Sequence, residues 1–369
     1  MNTINILYIC DSLNPYSGVF QKVMAQTGEW EKAGHRVWIA TQVDLVPKRR
    51  SKVAFLASEG KLYHTPTSVI DRVFGQIKRR VLSLGILKSA SMLHKIDLVY
   101  ARELSRGFGI IPFLHTTDVI VEINGDITWE YSGIKRAKRK FRRDLLLKYA
   151  AGVIFVSRQL RDSCCISHDK TTVIANACFG TLTHDNDLRA SADKPALVFI
   201  GAQKHDWHGV DKVEYLARAF PEFDFHIIGS EMSQQNNIFN HGTLPEEEIN
   251  KILRRCHVGI SSLALHRKNM NEASPLKSRQ YLASGLPVIQ GYEDTDIASN
   301  SSCILQLPNT NDNCQKNLEK IRAFVLEAYS SSRLSTAALN LAEGPLSIRE
   351  KEKSRMRFFK KCLRNTNHA

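Results

Sequence analysis

The segment Asn271-Glu-Ala-Ser-Pro-Leu-Lys-Ser-Arg-Gln-Tyr-Leu-Ala-Ser-Gly-Leu-Pro-Val-Ile289 concentrates the residues best able to do chemistry. A polar loop ends in Ser274-Pro275, and a helix follows with Leu276, Tyr281 and Leu282 on its inner side. Gly285 stops that helix, and Pro287-Val288-Ile289 begins a buried strand. Proline fits the first helical turn, where the N–H it lacks would have no partner. The N–H groups left free there, with the Lys277 ammonium in the first turn, suit a phosphate dianion. Glu272 stands just outside this cradle, placed to bind the hydroxyls of a sugar. A carboxylate beside a phosphate cradle points to a nucleotide-sugar pocket.

Such a loop needs strands and helices to hold it. Short apolar runs at Ile4–Ile9, Arg36–Ala40, Leu98–Tyr100, Val119–Ile123 and Val153–Val156 read as buried parallel strands, and a second series runs Leu197–Ile200, Phe225–Ile228, Val258–Ser261, Pro287–Ile289 and Cys303–Gln306. Amphipathic stretches such as Val19–Ala33, Lys212–Ala219 and Glu246–Arg255 lie between them. This alternation predicts an α/β chain with two Rossmann-like domains. The polar, aperiodic stretch 177–194 reads as a linker between domains at 1–176 and 195–344. Residues 345–369 form a charged tail in which Met356, Phe358 and Phe359 are available for packing.

A length of 369 residues fits two domains, and 43% hydrophobic residues supply two cores. No apolar run of about 18 residues would span a membrane. The N-terminus reads as a first strand rather than a signal peptide. Eight scattered cysteines without a paired C-x-x-C pattern fit reduced thiols in a cytoplasmic protein. A net charge of +14 calls for an anionic partner. No zinc-finger, RRM or helix-turn-helix pattern supports nucleic acid.

Much of the charge lies in Ile134–Tyr149. Ile134, Ala137, Phe141, Leu145 and Tyr149 recur on one helical face, and Lys135, Arg136, Lys138, Arg139, Arg142 and Arg143 occupy the others. This is the pattern of a helix lying on an anionic membrane, with a solvated basic surface as the alternative.

The Asn271–Ile289 segment resembles the donor-binding signature of the retaining GT-B glycosyltransferases, especially glycosyltransferase family 4. That signature has a Glu, seven residues, a second Glu, then a small-residue and Gly-Leu-Pro-Val ending. Counted from Glu272, the second Glu falls on Gln280. The resemblance implies two domains facing across a cleft, with a C-terminal helix crossing back to the first. It implies that Glu272 orients the sugar and that residue 280 holds the ribose hydroxyls. Gln accepts at one oxygen and donates at nitrogen where Glu would accept twice.

Further stations extend the resemblance over most of the chain. Ser17-Gly18 after the first strand resembles the family's Gly-Gly loop, though a plain strand-to-helix turn is the alternative. Asn124-Gly125 lies where relatives often carry His-Gly, so Asn124 would meet the donor sugar or simply form a turn. Gly201, Lys204 and His208 occupy the region where relatives bind the diphosphate. The resemblance implies no metal and no cofactor beyond the nucleoside-diphosphate sugar, and no dedicated protein nucleophile. It implies transfer to a saccharide or lipid-linked acceptor, as in bacterial surface polysaccharide assembly, at the inner face of the cytoplasmic membrane. Asp294-Thr-Asp296 has metal-motif spacing but reads as a loop. A nucleotide-sugar 2-epimerase or a non-catalytic relative are the alternatives.

Overall fold

Each apolar run read as a strand forms one. The structure is a computed structural model that describes residues 3–10, 13, 17–41, 54–57, 96–102, 117–126, 133–164, 166–180, 189, 192–201, 205–233 and 235–363. The chain forms two units, Met1–Ile174 with Glu352–Ala369, and Ala175–Lys351.

The first unit holds β1 (Asn5–Cys10), β2 (Arg36–Thr41), β3 (Ala54–Ala57), β4 (Leu98–Arg102), β5 (Asp118–Ile123), β6 (Gly152–Phe155) and β7 (Thr171–Val173). They form one sheet in the order β3-β2-β1-β4-β5-β6-β7. Every pairing is parallel. Its helices are α1 (Gly18–Lys32), α2 (Gly133–Tyr149) and the short α3 (Arg158–Asp162).

The second unit holds β8 (Ala196–Ile200), β9 (Asp224–Ile228), β10 (Ile238–Asn240), β11 (Val258–Ile260), β13 (Val288–Gln290) and β15 (Ile304–Gln306), with β12 (Glu272–Ala273) and β14 (Glu293–Asp294) as a separate pair. The parallel six-stranded sheet runs β10-β9-β8-β11-β13-β15. Its helices are α4 (Val210–Ala219), α5 (Glu246–Leu253), α6 (Leu276–Ala283), α7 (Leu318–Ser330) and α8 (Arg333–Glu343). In both sheets the strand order reverses beside the first strand, which makes the carboxyl ends of β1/β4 and β8/β11 the points where ligands bind in doubly wound folds.

The last helix, α9 (Ile348–Cys362), belongs to the first unit from Glu352 onward. Met356, Phe358 and Phe359 are buried in that unit's core with Tyr8, Trp30 and Tyr100. The Trp30 indole donates to Glu352 at 2.8 Å. The C-terminal helix thus joins the first unit, as expected, because it supplies apolar residues that complete that unit's core. The first unit ends at Ile174, two residues before the expected boundary.

Strands β3, β7, β10, β12 and β14 were not anticipated. β7 is half-buried throughout and β12 and β14 have two residues each, so these three show no long apolar run, whereas β3 lies in the apolar stretch Val53–Ala57 that the reading passed over. No helix among the described residues is long and apolar enough to cross a membrane.

Candidate functional site

The helix that carries Lys277 is fixed by buried hydroxyls and by close backbone approach. The Tyr281 hydroxyl accepts from the Ile200 N–H at 2.7 Å and lies 3.2 Å from the Ile260 carbonyl, tying α6 to the ends of β8 and β11. A Cβ on Gly259 would lie 2.4 Å from the Tyr281 ring, so only glycine lets the helix sit this close to β11. Ser278 joins Ser261 at 2.7 Å and Tyr292 at 2.7 Å in a buried hydroxyl ring. These contacts place the start of α6 at the switch point of the second sheet.

No side chain caps α6, whose N-cap residue is Pro275. Leu276 and Lys277 are its first two residues, so their N–H groups precede the first intrahelical bond. The Lys277 ammonium is removed from solvent and has no hydrogen-bond partner among the described residues. It lies 4.6 Å from the centre of the Phe199 ring. Burial alone pushes its pKa down to about 7. A buried ammonium without an acceptor is costly, and it leaves this position with the charge and free donors to accept an anion. Phe199 also meets the edge of the His208 ring, with centroids 6.4 Å apart. A Cβ on Gly201 would lie 2.9 Å from His208 Nδ1. Gly201, His208 and Lys277 therefore gather around Phe199. Lys204 lies outside the described residues.

The loop before α6 is held by a second buried network. Arg279 makes a two-pronged bond to Asp294, both contacts at 2.8 Å and both side chains fully buried. Arg279 also donates to Ser274 Oγ at 2.9 Å, and the Asn176 N–H donates to the same oxygen at 3.0 Å. Ser274, expected to bind donor, has its Oγ held by these two groups, which fix the loop. Asp294 is engaged by Arg279 rather than lying in an open loop. Glu272 lies in β12, not in a polar loop, and is nine-tenths buried. Gln280 donates from Nε2 to Glu246 Oε1 at 3.0 Å.

In the first unit, Ser17 caps α1 by accepting from the Phe20 N–H at 3.2 Å, and Gly18 is the exposed first residue of that helix. Asn124 sits beyond β5. Its Oδ1 accepts from Lys22 Nζ at 3.0 Å and its Nδ2 donates to Glu122 Oε1 at 2.9 Å. Lys22 and Glu122 are both buried and lie 2.6 Å apart. Tyr100 donates to Glu122 at 2.5 Å, and Arg355 of α9 approaches it at 3.3 Å. Burial alone would raise the Glu122 carboxyl, but Lys22, Arg355 and Arg102 outweigh it and hold it well below the usual range. Burial brings Lys22 down to about 8 against the pull of Glu122. Asn124 is thus the outer member of an ionic core.

No protein-family model and no curated protein matches the chain. Solved structures do. Sucrose-phosphate synthase from Thermosynechococcus elongatus aligns over 97% of this chain and 98% of its own, with a TM-score of 0.75 at 13% identity. Anabaena HepE in complex with UDP and glucose aligns over 97% and 99%, with 0.68 at 13%. WaaG, a glycosyltransferase involved in lipopolysaccharide biosynthesis, aligns over 96% and 99%, with 0.65 at 10%. The fold is that of the GT-B glycosyltransferases. Both doubly wound sheets of this GT-B chain have the order derived above, and α6 with Lys277 stands at the switch point of the second.

The basic helix of the GT-B chain differs in part from expectation. Ile134, Phe141 and Tyr149 are exposed by 87%, 69% and 43%, so this apolar face is unpacked. Arg136 is exposed and Arg139 half-buried. Arg143 was placed on the basic surface, but its side chain is only 10% exposed and bonds Asp126 at 3.0 Å. It anchors the helix instead. The side chains of Lys135, Lys138 and Arg142 lie outside the described set.

Sequence reasoning missed Lys22, Glu122, Lys212 and Arg279. The signal for Glu122 was present, since a carboxylate inside the apolar run Val119-Ile-Val-Glu-Ile123 has to find a cation.

Proposed function

We propose that this chain is a retaining glycosyltransferase that moves a sugar from a nucleoside-diphosphate sugar to a saccharide or lipid-linked acceptor in bacterial surface polysaccharide assembly. The single observation that carries the reading is the buried Lys277 ammonium, without a hydrogen-bond partner among the described residues, at the uncapped start of α6. HepE with UDP-glucose and the lipopolysaccharide enzyme WaaG, both of this fold, support the donor class and the setting. As the sugar–phosphate bond breaks, charge grows on the leaving diphosphate. Lys277 and the free N–H groups of α6 stabilise that charge in a site that needs little reorganisation. This positive end serves the purpose a metal would otherwise serve. Glu272 orients the sugar hydroxyls. Attack occurs on the face from which the diphosphate leaves, and a phosphate oxygen accepts the proton of the acceptor hydroxyl. Thermal-shift screening against UDP-, GDP- and ADP-sugars tests this, since a ligand at 100 times its Kd adds about 2.7 kcal/mol. One of these donors is expected to raise the melting temperature and to yield glycosylated product. No shift with any of them overturns the reading, and a shift without product or turnover leaves a binding protein.

The same reading places the chain on a membrane surface. α2 carries eight basic residues and one acidic residue in its 17 positions, beside the exposed Ile134 and Phe141. Each Lys or Arg near an anionic leaflet contributes about 1 kcal/mol, and the apolar side chains add insertion. The protein is expected to sediment with vesicles containing anionic lipid at low salt, and Ile134→Asp with Phe141→Asp to weaken this. No sedimentation of the unmodified protein would leave α2 a solvated face.

A further inference from the structure

The charges around Glu122 in the first unit do not balance. Lys22, Arg102 and Arg355 gather on two carboxylates, Glu122 and Glu352. A carboxylate has about four sites for hydrogen bonds. Those of Glu122 are filled by Lys22 Nζ, Asn124 Nδ2, the Tyr100 hydroxyl and Arg355. Glu352 is taken by Arg355, Gln26 and the Trp30 indole. Arg102 is left over. Its Nε stands 3.8 Å from Glu122 Oε1, beyond hydrogen-bond reach. That nitrogen is sealed from solvent and has no hydrogen-bond partner among the described residues. The terminal nitrogens are not sealed, since the side chain keeps 20% of its exposure. Asp126, the next carboxylate along the chain from Glu122, is held by Arg143.

The place of this odd cation is specific. Arg102 ends β4, in register with Cys10 at the end of β1 and with Glu122 in β5. This is the switch point of the first sheet, where doubly wound folds bind ligands. The half-buried amide of Asn124 meets the same oxygen, Glu122 Oε1, that Arg102 approaches, so the two polar groups stand side by side. The Arg102 charge also presses on buried Lys22, helping to lower its pKa. A neutral ligand would leave that repulsion in place, whereas an oxyanion on Arg102 offsets it. The planar guanidinium fork matches the paired oxygens of a phosphate or a carboxylate.

We propose that Arg102 binds the phosphate or carboxylate of an acidic saccharide, which is the acceptor of the transfer. This rests on the nucleotide-sugar reading: the donor's diphosphate is assigned to Lys277 in the second unit, which leaves the first unit's unmatched cation to the other substrate.

Calorimetric titration of the full chain with glucose 6-phosphate, glucuronate, glucose and inorganic phosphate tests the site. At least one of the two acidic sugars is expected to bind about 10- to 100-fold more tightly than glucose, the range for hydrogen bonds to a charged group, and the better of the two tells phosphate from carboxylate. Arg102→Met is expected to bring that ratio close to one, and Arg102→Lys, which keeps the charge but not the fork, to lower it in part. Lys277→Met should leave it unchanged. Since Arg102 makes no hydrogen bond among the described residues, its urea midpoint as Arg102→Met should match that of the unmodified protein. Equal binding of glucose and both acidic sugars, or a ratio unmoved by Arg102→Met, overturns the proposal. So does inorganic phosphate binding as tightly as glucose 6-phosphate, which would make the site one for an adventitious ion only. Titration of UDP, GDP and ADP beside these reads the nucleotide-sugar proposal separately: the nucleotide that binds should do so equally to Arg102→Met, and failure of all three overturns that reading whatever the sugars do.

Discussion

Two lysines of the second unit sit near the starts of helices, and they differ in one respect. Lys212 in α4 is 3% exposed, and its ammonium meets the Leu263 carbonyl at 3.0 Å, the Thr310 carbonyl at 2.6 Å and Asn313 Oδ1 at 2.7 Å. All three donors have an acceptor. Lys277 in α6 has none among the described residues, and only the face of Phe199 lies near it. Burial lowers the pKa of both, but only at Lys277 does it bring the value to about 7. A buried ammonium with its donors satisfied holds loops together. One with its donors unsatisfied weakens the fold, and the proposed function assigns it an anion that arrives later.

The largest expected effect separates the two on stability. Lys212→Met takes the ammonium from three oxygens, of which among the described residues only the Leu263 carbonyl keeps another donor, Asn313 Nδ2 at 2.9 Å, and is expected to destabilise the fold by about 2–4 kcal/mol, read from urea midpoints. Lys277→Met removes an uncompensated charge and is expected to leave the midpoint at pH 7 unchanged or higher. Equal losses would erase the distinction.

Next comes binding. Lys277→Met is expected to weaken UDP, or whichever nucleoside diphosphate binds, by about 10- to 100-fold, the range for a charge-assisted bond to phosphate. The corresponding nucleoside should be unaffected, which titration of both ligands would show. Equal losses would make Lys277 structural.

The smallest effect is on pH dependence, and its sign is fixed. Folded Lys277 loses its proton near pH 7, whereas the unfolded side chain keeps it to about 10.4. Between those values the unfolded chain holds one more proton, so stability rises with pH, by at most about 1.4 kcal/mol per unit. The unmodified protein should gain on Lys277→Met across that window and run parallel to it below pH 7. Denaturation of both proteins at pH 7, 8 and 9 reads the slope.

Much of this arrangement was legible in the sequence because parallel strands buried on both faces leave continuous apolar runs, such as Leu197–Ile200. Ser274-Pro275 and Gly285 likewise bracketed α6 by their backbone chemistry. Partner choice was less legible. Nothing local in Ser274 shows that Arg279 and Asn176 hold its oxygen, and Arg143 reads like its basic neighbours until Asp126 is folded against it. The difference between Lys212 and Lys277 is of the same kind. Both lie in the first turn of a helix, and only residues 51 to 101 positions from Lys212 in sequence, Leu263, Thr310 and Asn313, tell them apart.

Proton uptake on nucleotide binding tests the central claim most directly. Calorimetry of UDP, GDP and ADP at pH 8, in two buffers of different ionisation enthalpy, counts the protons taken up. A diphosphate beside Lys277 restores its charge, so the unmodified protein is expected to take up close to one proton with the nucleotide that binds, and Lys277→Met almost none. Binding without proton uptake, or with equal uptake in both proteins, would contradict the assignment of Lys277 to the diphosphate.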